Sequence, residues 1–312
     1  MKIRKGVTDL LMDEEVQAYS RMPVSAWLAT FGDPSVKEPM WSPAPPDGEN
    51  RLVFHSHIHD EIEVHQVRRG ELTAEINSSR VKLTAGDILI VNPYERHSGT
   101  VPQNTVTEYV HATFDVNYFT GCSGEANALF RNMLSGEIYY PTVIPSDNPL
   151  SAEIGKTLDS IYKCYREAIQ AKENLAAADL HLSLAVQELI ALLLDNVTPL
   201  KSNGKQVRNS RFIREVQQYV SNNFRSNITT EQIAYDIGYN TSYFCAMFRQ
   251  NFGISFKQYL NERRIEYATT WLRNLPLSEI ASSLGFSSYN YFCRVFKKQT
   301  GMTPGEMFGM RE

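Results

Sequence analysis

Two sets of side chains in this 312-residue chain stand out for what they can bind. His55, His57, His59 and His65 fall within eleven residues, and His97 follows. Imidazoles ligate divalent metals, carry protons near neutral pH and hydrogen-bond small polar molecules. Far downstream, Ser242, Cys245, Ala246 and Arg249 recur at helical spacing, and so do Asn290, Cys293, Arg294 and Lys297. Each of these sets lies opposite apolar and aromatic residues, and a helix face this slim and polar can enter a DNA major groove. Other chemistries lack their motifs: there is no G-x-S-x-G, no Walker loop and no G-x-G-x-x-G. Cys122, Cys164, Cys245 and Cys293 are far apart and form no C-x-x-C pair, so buried or half-buried thiols are expected rather than disulfides or a zinc cluster.

The elements that must position these residues differ along the chain. Between about residues 15 and 120, short β-branched and aromatic runs at 51–55, 61–67, 71–76 and 105–114 alternate with turn residues such as Gly70, Gly86 and Pro93. This pattern predicts a small antiparallel barrel or sandwich. Residues 39–48 are too proline-rich for a strand interior. Residues 123–134 are expected to form a first helix. Ser151 is a candidate N-cap for a second, with Ile154, Leu158, Ile161 and Tyr165 on one stripe. Leu175, Ala178, Leu182, Val186, Leu189 and Leu193 mark a third. Either the two stripes form one hairpin packed on the barrel, or one of them is a self-association surface. Residues 201–210 are polar, contain Gly204 and lack periodicity, which predicts a flexible linker.

Composition agrees with a folded protein of about two domains: 42% hydrophobic and 21% charged residues exclude disorder and fibres. The longest apolar run, 189–194, is six residues, so no membrane span is expected. Lys2, Arg4 and Lys5 are not followed by an apolar stretch, and a cytoplasmic location is expected. The net charge of −4 hides an asymmetry, because residues 208–312 hold 13 Lys/Arg against 8 Asp/Glu. An acidic body with a basic C-terminal third directs a polyanion to that third.

That third repeats itself. Ile233, Ala234, Gly238 and Tyr239 correspond to Ile280, Ala281, Gly285 and Phe286 at an offset of 47. Tyr243, Phe244, Cys245, Phe248 and Gly253 correspond to Tyr291, Phe292, Cys293, Phe296 and Gly301 at an offset of 48. Each copy predicts a helix capped by Thr229 or Thr230, or by Ser278, then a glycine turn, then a second helix over 241–251 or 288–299. The second helices bury Phe244, Met247 and Phe248, and Phe292, Val295 and Phe296. A long helix over 255–274 joins the copies. Two inert hairpins are the alternative reading.

Residues 211–308 resemble the DNA-binding domain of the AraC/XylS family of bacterial transcription regulators. The resemblance is carried by Ile280, Ala281, Gly285 and Phe286, by the run from Tyr291 to Lys298, and by Gly301, Met302, Thr303 and Pro304. It implies two helix-turn-helix units in adjacent major-groove turns. Ser242, Tyr243, Cys245 and Ala246 would then face bases from the first unit, and Asn290, Cys293 and Arg294 from the second. Arg249, Lys297 and Lys298 would lie nearer phosphates. Family members often carry a long polar residue where this chain has Ala246; base readout by the first unit then falls to Arg249, Tyr243 or DNA shape.

His57, His59, Glu63 and Gly70 resemble the first motif of the cupin superfamily, and Gly86, Pro93 and His97 a shortened second motif. The resemblance implies that His57, His59, Glu63 and His97 bind one divalent metal, contact a small effector, or satisfy one another. His55 and His65 are expected on exposed faces or strand ends. Trp27 and Trp41 are candidates to line the pocket mouth, core packing being the alternative.

The fold class expected is multidomain α+β: a cupin-like effector-sensing barrel over 1–122, a helical dimerisation region over 123–200, a linker over 201–210 and a double helix-turn-helix domain over 211–312. The function expected is a ligand-responsive transcription regulator, not an enzyme, with no required cofactor. Its expected partners are operator DNA, a small effector such as a sugar, a second copy of the chain and, for an activator, RNA polymerase. The rivals are a cupin metalloenzyme, an isomerase or dioxygenase with a helical appendage, and a metal-sensing regulator.

Overall fold

The computed structural model describes residues 23–32, 50–119, 124–171, 173–271 and 276–308. The chain divides into two compact units, one spanning Glu14–Arg211 and one containing Phe212–Glu312.

The first unit is built on two antiparallel sheets. β1 (Val24–Phe31), β8 (Thr107–Phe114), β3 (Ile62–Arg69), β6 (Ile88–Val91) and β10 (Val143–Ile144) lie in that order in one sheet; β2 (Asn50–His57), β7 (His97–Pro102), β4 (Glu71–Ile76) and β5 (Ser79–Thr84) form the other. Phe31, Val67, Leu89 and Tyr109 of the first sheet share a core with Val53, Leu72, Leu83 and Val101 of the second. The opposite face of the five-stranded sheet, with Ile62, Val64, Val110 and Ala112, packs on helices. The helices are α1 (Val116–Phe119), α2 (Gly124–Leu134), α3 (Pro149–Gln170) and α4 (Leu175–Asn196). β3 is therefore buried on both faces, which is why its residues are buried from Ile62 to Val67 rather than alternately.

Ile154, Leu158, Ile161 and Tyr165 of α3 are all buried, as are Leu182, Val186, Leu189 and Leu193 of α4. Ser151 is not the cap of α3. Asn148 takes that place, its Oδ1 accepting from Leu150 N at 3.0 Å, and Pro149 opens the helix, where a missing N–H is harmless. Ser151 is instead buried, and its carbonyl accepts from Gln66 Nε2 at 2.9 Å. By length and composition α4 is apolar enough to cross a membrane. Its Leu182–Leu193 face lies in the core of this unit, while Leu180 and Leu184 on another face are 58% and 52% exposed.

The expected flexible linker over 201–210 is structured. β11 (Leu200–Lys201) pairs with β9 (Ile138–Tyr139), and α5 (Gly204–Asn223) starts three residues later. Asn203 Oδ1 accepts from Lys205 N and Gln206 N at 3.0 Å each, while Gln206 Oε1 accepts from Asn203 N at 2.9 Å. This reciprocal capping box starts a helix in a polar sequence that has no apolar period.

The second unit is helical: the C-terminal part of α5, then α6 (Thr230–Asp236), α7 (Thr241–Phe252), α8 (Phe256–Trp271), α9 (Leu277–Ser283), α10 (Tyr289–Thr300) and α11 (Pro304–Phe308). Thr229 caps α6, accepting from Gln232 N. Ser278, in contrast, lies inside α9, which Pro276 precedes with no side-chain cap. The expected long connecting helix is present as α8 to Trp271; residues 272–275 lie outside the described residues.

Candidate functional site

β2, β3 and β7 hold the histidine cluster of the first unit. His57 ends β2 directly opposite His97, the first residue of β7, and their ring centroids are 4.1 Å apart. A Cβ at Gly99 would run into the Phe54 ring, so glycine there lets that ring lie across β7. The ring reaches His65 and His97, with centroids 5.5 and 6.0 Å away. Glu63 on β3 is the hub. Its Oε1 lies 3.2 Å from His59 Nε2 and 4.0 Å from His57 Nε2, and it accepts from Thr113 Oγ1 at 3.2 Å. Its Oε2 lies 2.9 Å from His65 Nε2 and 3.3 Å from His97 Nε2. The ligand atoms of His57, His59, Glu63 and His97 are all within 4.8 Å of one another.

The His97 ring has a defined orientation. Its Nδ1 lies 2.9 Å from the Glu95 carbonyl oxygen. A carbonyl can only accept, so Nδ1 carries the hydrogen and a neutral ring turns its Nε2 lone pair toward Glu63. Among the described residues that nitrogen has no hydrogen-bond partner. Two acceptors 3.3 Å apart require a proton or a cation between them, and three imidazoles with one carboxylate suit a divalent ion. The Glu95 side chain is held by Asn92, accepting from its N at 3.0 Å and its Nδ2 at 3.1 Å. Burial raises the Glu95 pKa, while the Asn92 donors act to lower it.

His65, expected on an exposed face, is 2% exposed and belongs to the cluster, because helices cover one face of β3 and the second sheet covers the other. Glu61, Thr113 and His111 were also not singled out by spacing. Glu61 Oε2 lies 3.5 Å from His59 Nδ1, and His111 stacks on His65 with centroids 5.0 Å apart. The signal was present for His65: within β3, Glu63 and His65 share parity, and parity selects one strand face. The His55 side chain and all of Trp41 lie outside the described residues. Trp27, on β1, is half-buried and stands edge-on to Tyr165.

In the second unit, α6–α7 and α9–α10 repeat one geometry. Gly238 and Gly285 turn the chain with φ of 81° and 75°. Tyr239 N donates to Ala234 O at 2.8 Å, and Phe286 N to Ala281 O at 3.1 Å. Asn240 caps α7 through Tyr243 N, and Ser288 caps α10 through Tyr291 N. Phe244, Phe248, Phe292 and Phe296 are all buried. Ser242, Tyr243, Cys245, Ala246 and Arg249 of α7 are exposed, and so are Asn290, Arg294, Lys297 and Lys298 of α10, whereas Cys293 is half-buried. Cys245 is thus not the buried or half-buried thiol expected: it lies on the flank of the Phe244–Phe248 stripe, outside the packed face; Cys122 lies outside the described residues. The Tyr243 ring stacks on Tyr239, with centroids 5.6 Å apart. The Arg294 guanidinium sits 5.3 Å from the Tyr291 ring centroid, and Asn261 Nδ2 donates to the Tyr291 hydroxyl at 2.9 Å. Arg264, missed by sequence reasoning, is buried and donates to the carbonyls of Phe224 and Ser226 at 2.8 Å each. Its guanidinium also lies 5.3 Å from the ring centroid of Phe286, next to the Gly285 turn of the second helix-turn-helix.

Two family models match the chain: an AraC-like ligand binding domain over residues 47–190 and a helix-turn-helix domain over residues 233–310. An uncharacterized HTH-type transcriptional regulator in the cgkA 5' region of Pseudoalteromonas carrageenovora is 31% identical over 111 residues, 35% of this chain and 67% of that protein. The uncharacterized HTH-type transcriptional regulator YijO of Escherichia coli K12 is 31% identical over 122 residues, 38% of this chain. The matched stretch spans only 43% of YijO. Among solved structures, ToxT from Vibrio cholerae O395, bound to (E)-4-(8-methylnaphthalen-1-yl)but-3-enoic acid, aligns with a TM-score of 0.52 at 13% identity. That alignment covers 92% of this chain and 98% of ToxT, and at that identity the likeness is one of fold. Both of these relatives are named as transcription regulators.

Proposed function

The chain belongs to the AraC-type family of transcription regulators, and we propose that it binds duplex DNA through α7 and α10 under the control of a small molecule held by its first unit. The observation that carries this reading is the duplicated helix-turn-helix, with buried aromatic faces and outward polar faces on both second helices. The ligand-binding match over 47–190 includes the whole His57–His97 cluster, which supports that cluster as the place where the effector is read. A carbohydrate suits it, since imidazoles and a carboxylate hydrogen-bond hydroxyl groups well. The exposed Leu180 and Leu184 of α4 support pairing with a second copy, and an activator form would also contact RNA polymerase. A cytoplasmic location follows from DNA as partner. Fluorescence anisotropy with duplexes from the promoters flanking the gene tests the reading. Dissociation constants of roughly 10⁻⁸ M or below are expected on one of them, against about 10⁻⁴–10⁻⁶ M on random DNA. Equal affinity for both would overturn it.

The lone pair of His97 Nε2 facing Glu63 favours a second reading, a direct metal sensor. A bound divalent ion would supply the positive charge that joins His57, His59, Glu63 and His97. Calorimetric titration of the full chain with Zn²⁺, Mn²⁺ or Ni²⁺ is expected to give one site per chain, abolished in Glu63→Gln. No binding heat with any of the three would exclude it.

A further inference from the structure

The two reader helices occupy the same scaffold, so their outward positions can be matched at an offset of 48. Ser242 corresponds to Asn290, Ala246 to Arg294, Arg249 to Lys297 and Gln250 to Lys298. The aromatic cores agree, and so do Tyr243 with Tyr291 and Cys245 with Cys293, but Ser242, Ala246 and Gln250 differ in chemistry from their counterparts. The middle of the α7 face is Cys245 and Ala246, both exposed; Cys245 has a counterpart in Cys293, whereas Ala246 presents only a methyl group, with no donor or acceptor for a base edge. The middle of the α10 face is an exposed guanidinium, held over the Tyr291 ring by a cation–π contact. Charge follows the same division. Residues 229–253 hold one basic and two acidic side chains (Arg249, Glu231, Asp236), whereas residues 277–301 hold three basic and one acidic (Arg294, Lys297, Lys298, Glu279).

Resting on the DNA-reading function above, we infer that the two helices divide the operator by base chemistry. The α7 segment would be rich in A·T pairs, read through thymine methyl groups, and the α10 segment would contain a guanine read by Arg294. The thymine C5-methyl is the apolar group on the major-groove edge of the base pairs, so the Ala246 methyl gains from thymine and not from a hydrogen-bonding pattern. A guanidinium matches guanine O6 and N7 with two parallel N–H bonds. Most of the attraction for phosphate then comes from α10, and α7 contributes fit rather than charge.

The test begins by selecting duplexes bound by the full chain from a random-sequence pool. In the selected site, deoxyuridine then replaces thymine, which removes only the methyl group, or 7-deazaguanine replaces guanine, which removes N7. The α10 segment is identified as the one whose 7-deazaguanine penalty disappears in Arg294→Ala. Deoxyuridine in the other segment is expected to weaken binding about fourfold per contacted methyl. In Ala246→Ser, which keeps the helix, that penalty is expected to vanish. The 7-deazaguanine penalty in the α10 segment is expected to be about tenfold. A selected site with G·C pairs throughout the α7 segment, or indifference to deoxyuridine there, overturns the division and leaves DNA reading intact. Failure of any sequence to be enriched over random DNA overturns the DNA-reading function itself.

Discussion

The two helix-turn-helix units share a skeleton and differ in what they display. Ile233 and Ile280, Phe244 and Phe292, and Phe248 and Phe296 are buried in matching places, yet Ala246 faces outward where the other unit has Arg294. Packing demands the same residue at the same place each time the fold is used, because an interior at crystal-like density tolerates little change of shape. The outward face answers only to its ligand. Such a comparison separates residues that make the unit from residues that aim it.

The largest effect tests the shared half of that comparison. Phe248→Ala and Phe296→Ala should each destabilise their own unit by about 3–5 kcal/mol, read from denaturant unfolding of the full chain. A cost near zero for either would mean the two cores are not equivalent. The turns sharpen the point. Gly238 and Gly285 have left-handed backbones, which cost a residue with a side chain about 1–2 kcal/mol. Among the described residues, a Cβ at Gly238 meets nothing within 4 Å. One at Gly285 collides with the Arg225 carbonyl oxygen and lies 2.8 Å from Arg264 Nη2. Gly285→Ala should therefore lower the urea midpoint clearly more than Gly238→Ala, and equal shifts would contradict the buried Arg264 support.

The differing half is tested on DNA. Arg294→Ala should cost about 1–3 kcal/mol on the selected site and less on random duplex. An equal penalty on both would make Arg294 a phosphate-binding residue. The smallest effect is ionic: removing one cationic side chain that pairs with a phosphate flattens the plot of log affinity against log salt by about 1. The double variant Lys297→Ala/Lys298→Ala should flatten it by about 2, and Arg249→Ala by about 1. Unchanged slopes would place these three side chains away from the DNA backbone.

The repeat was legible in the sequence because duplicated cores use the same letters, and so was the His57–His59–Glu63 set, through its likeness to a known motif; these residues meet because the end of β2, its connection and the start of β3 converge. His65 was not. Glu63 and His65 of β3 alternate with apolar residues, which reads as an exposed face, but the second sheet covers that face and buries His65. Residues 201–210 misled for the opposite reason. Their helix is started by Asn203 and Gln206 rather than by an apolar stripe, so a search for periodicity passes over it. Asn148 and Pro149 together signalled the start of α3 better than Ser151, whose hydroxyl donates to the Gly86 carbonyl oxygen instead.

Hydroxyl-radical footprinting of the full chain on a selected duplex bears most directly on the paired readers. Two protected patches about 10 base pairs apart on one face of the DNA are expected, one for each reader helix. A single patch, or protection no different from that on random DNA, would contradict a tandem pair of groove-reading helices.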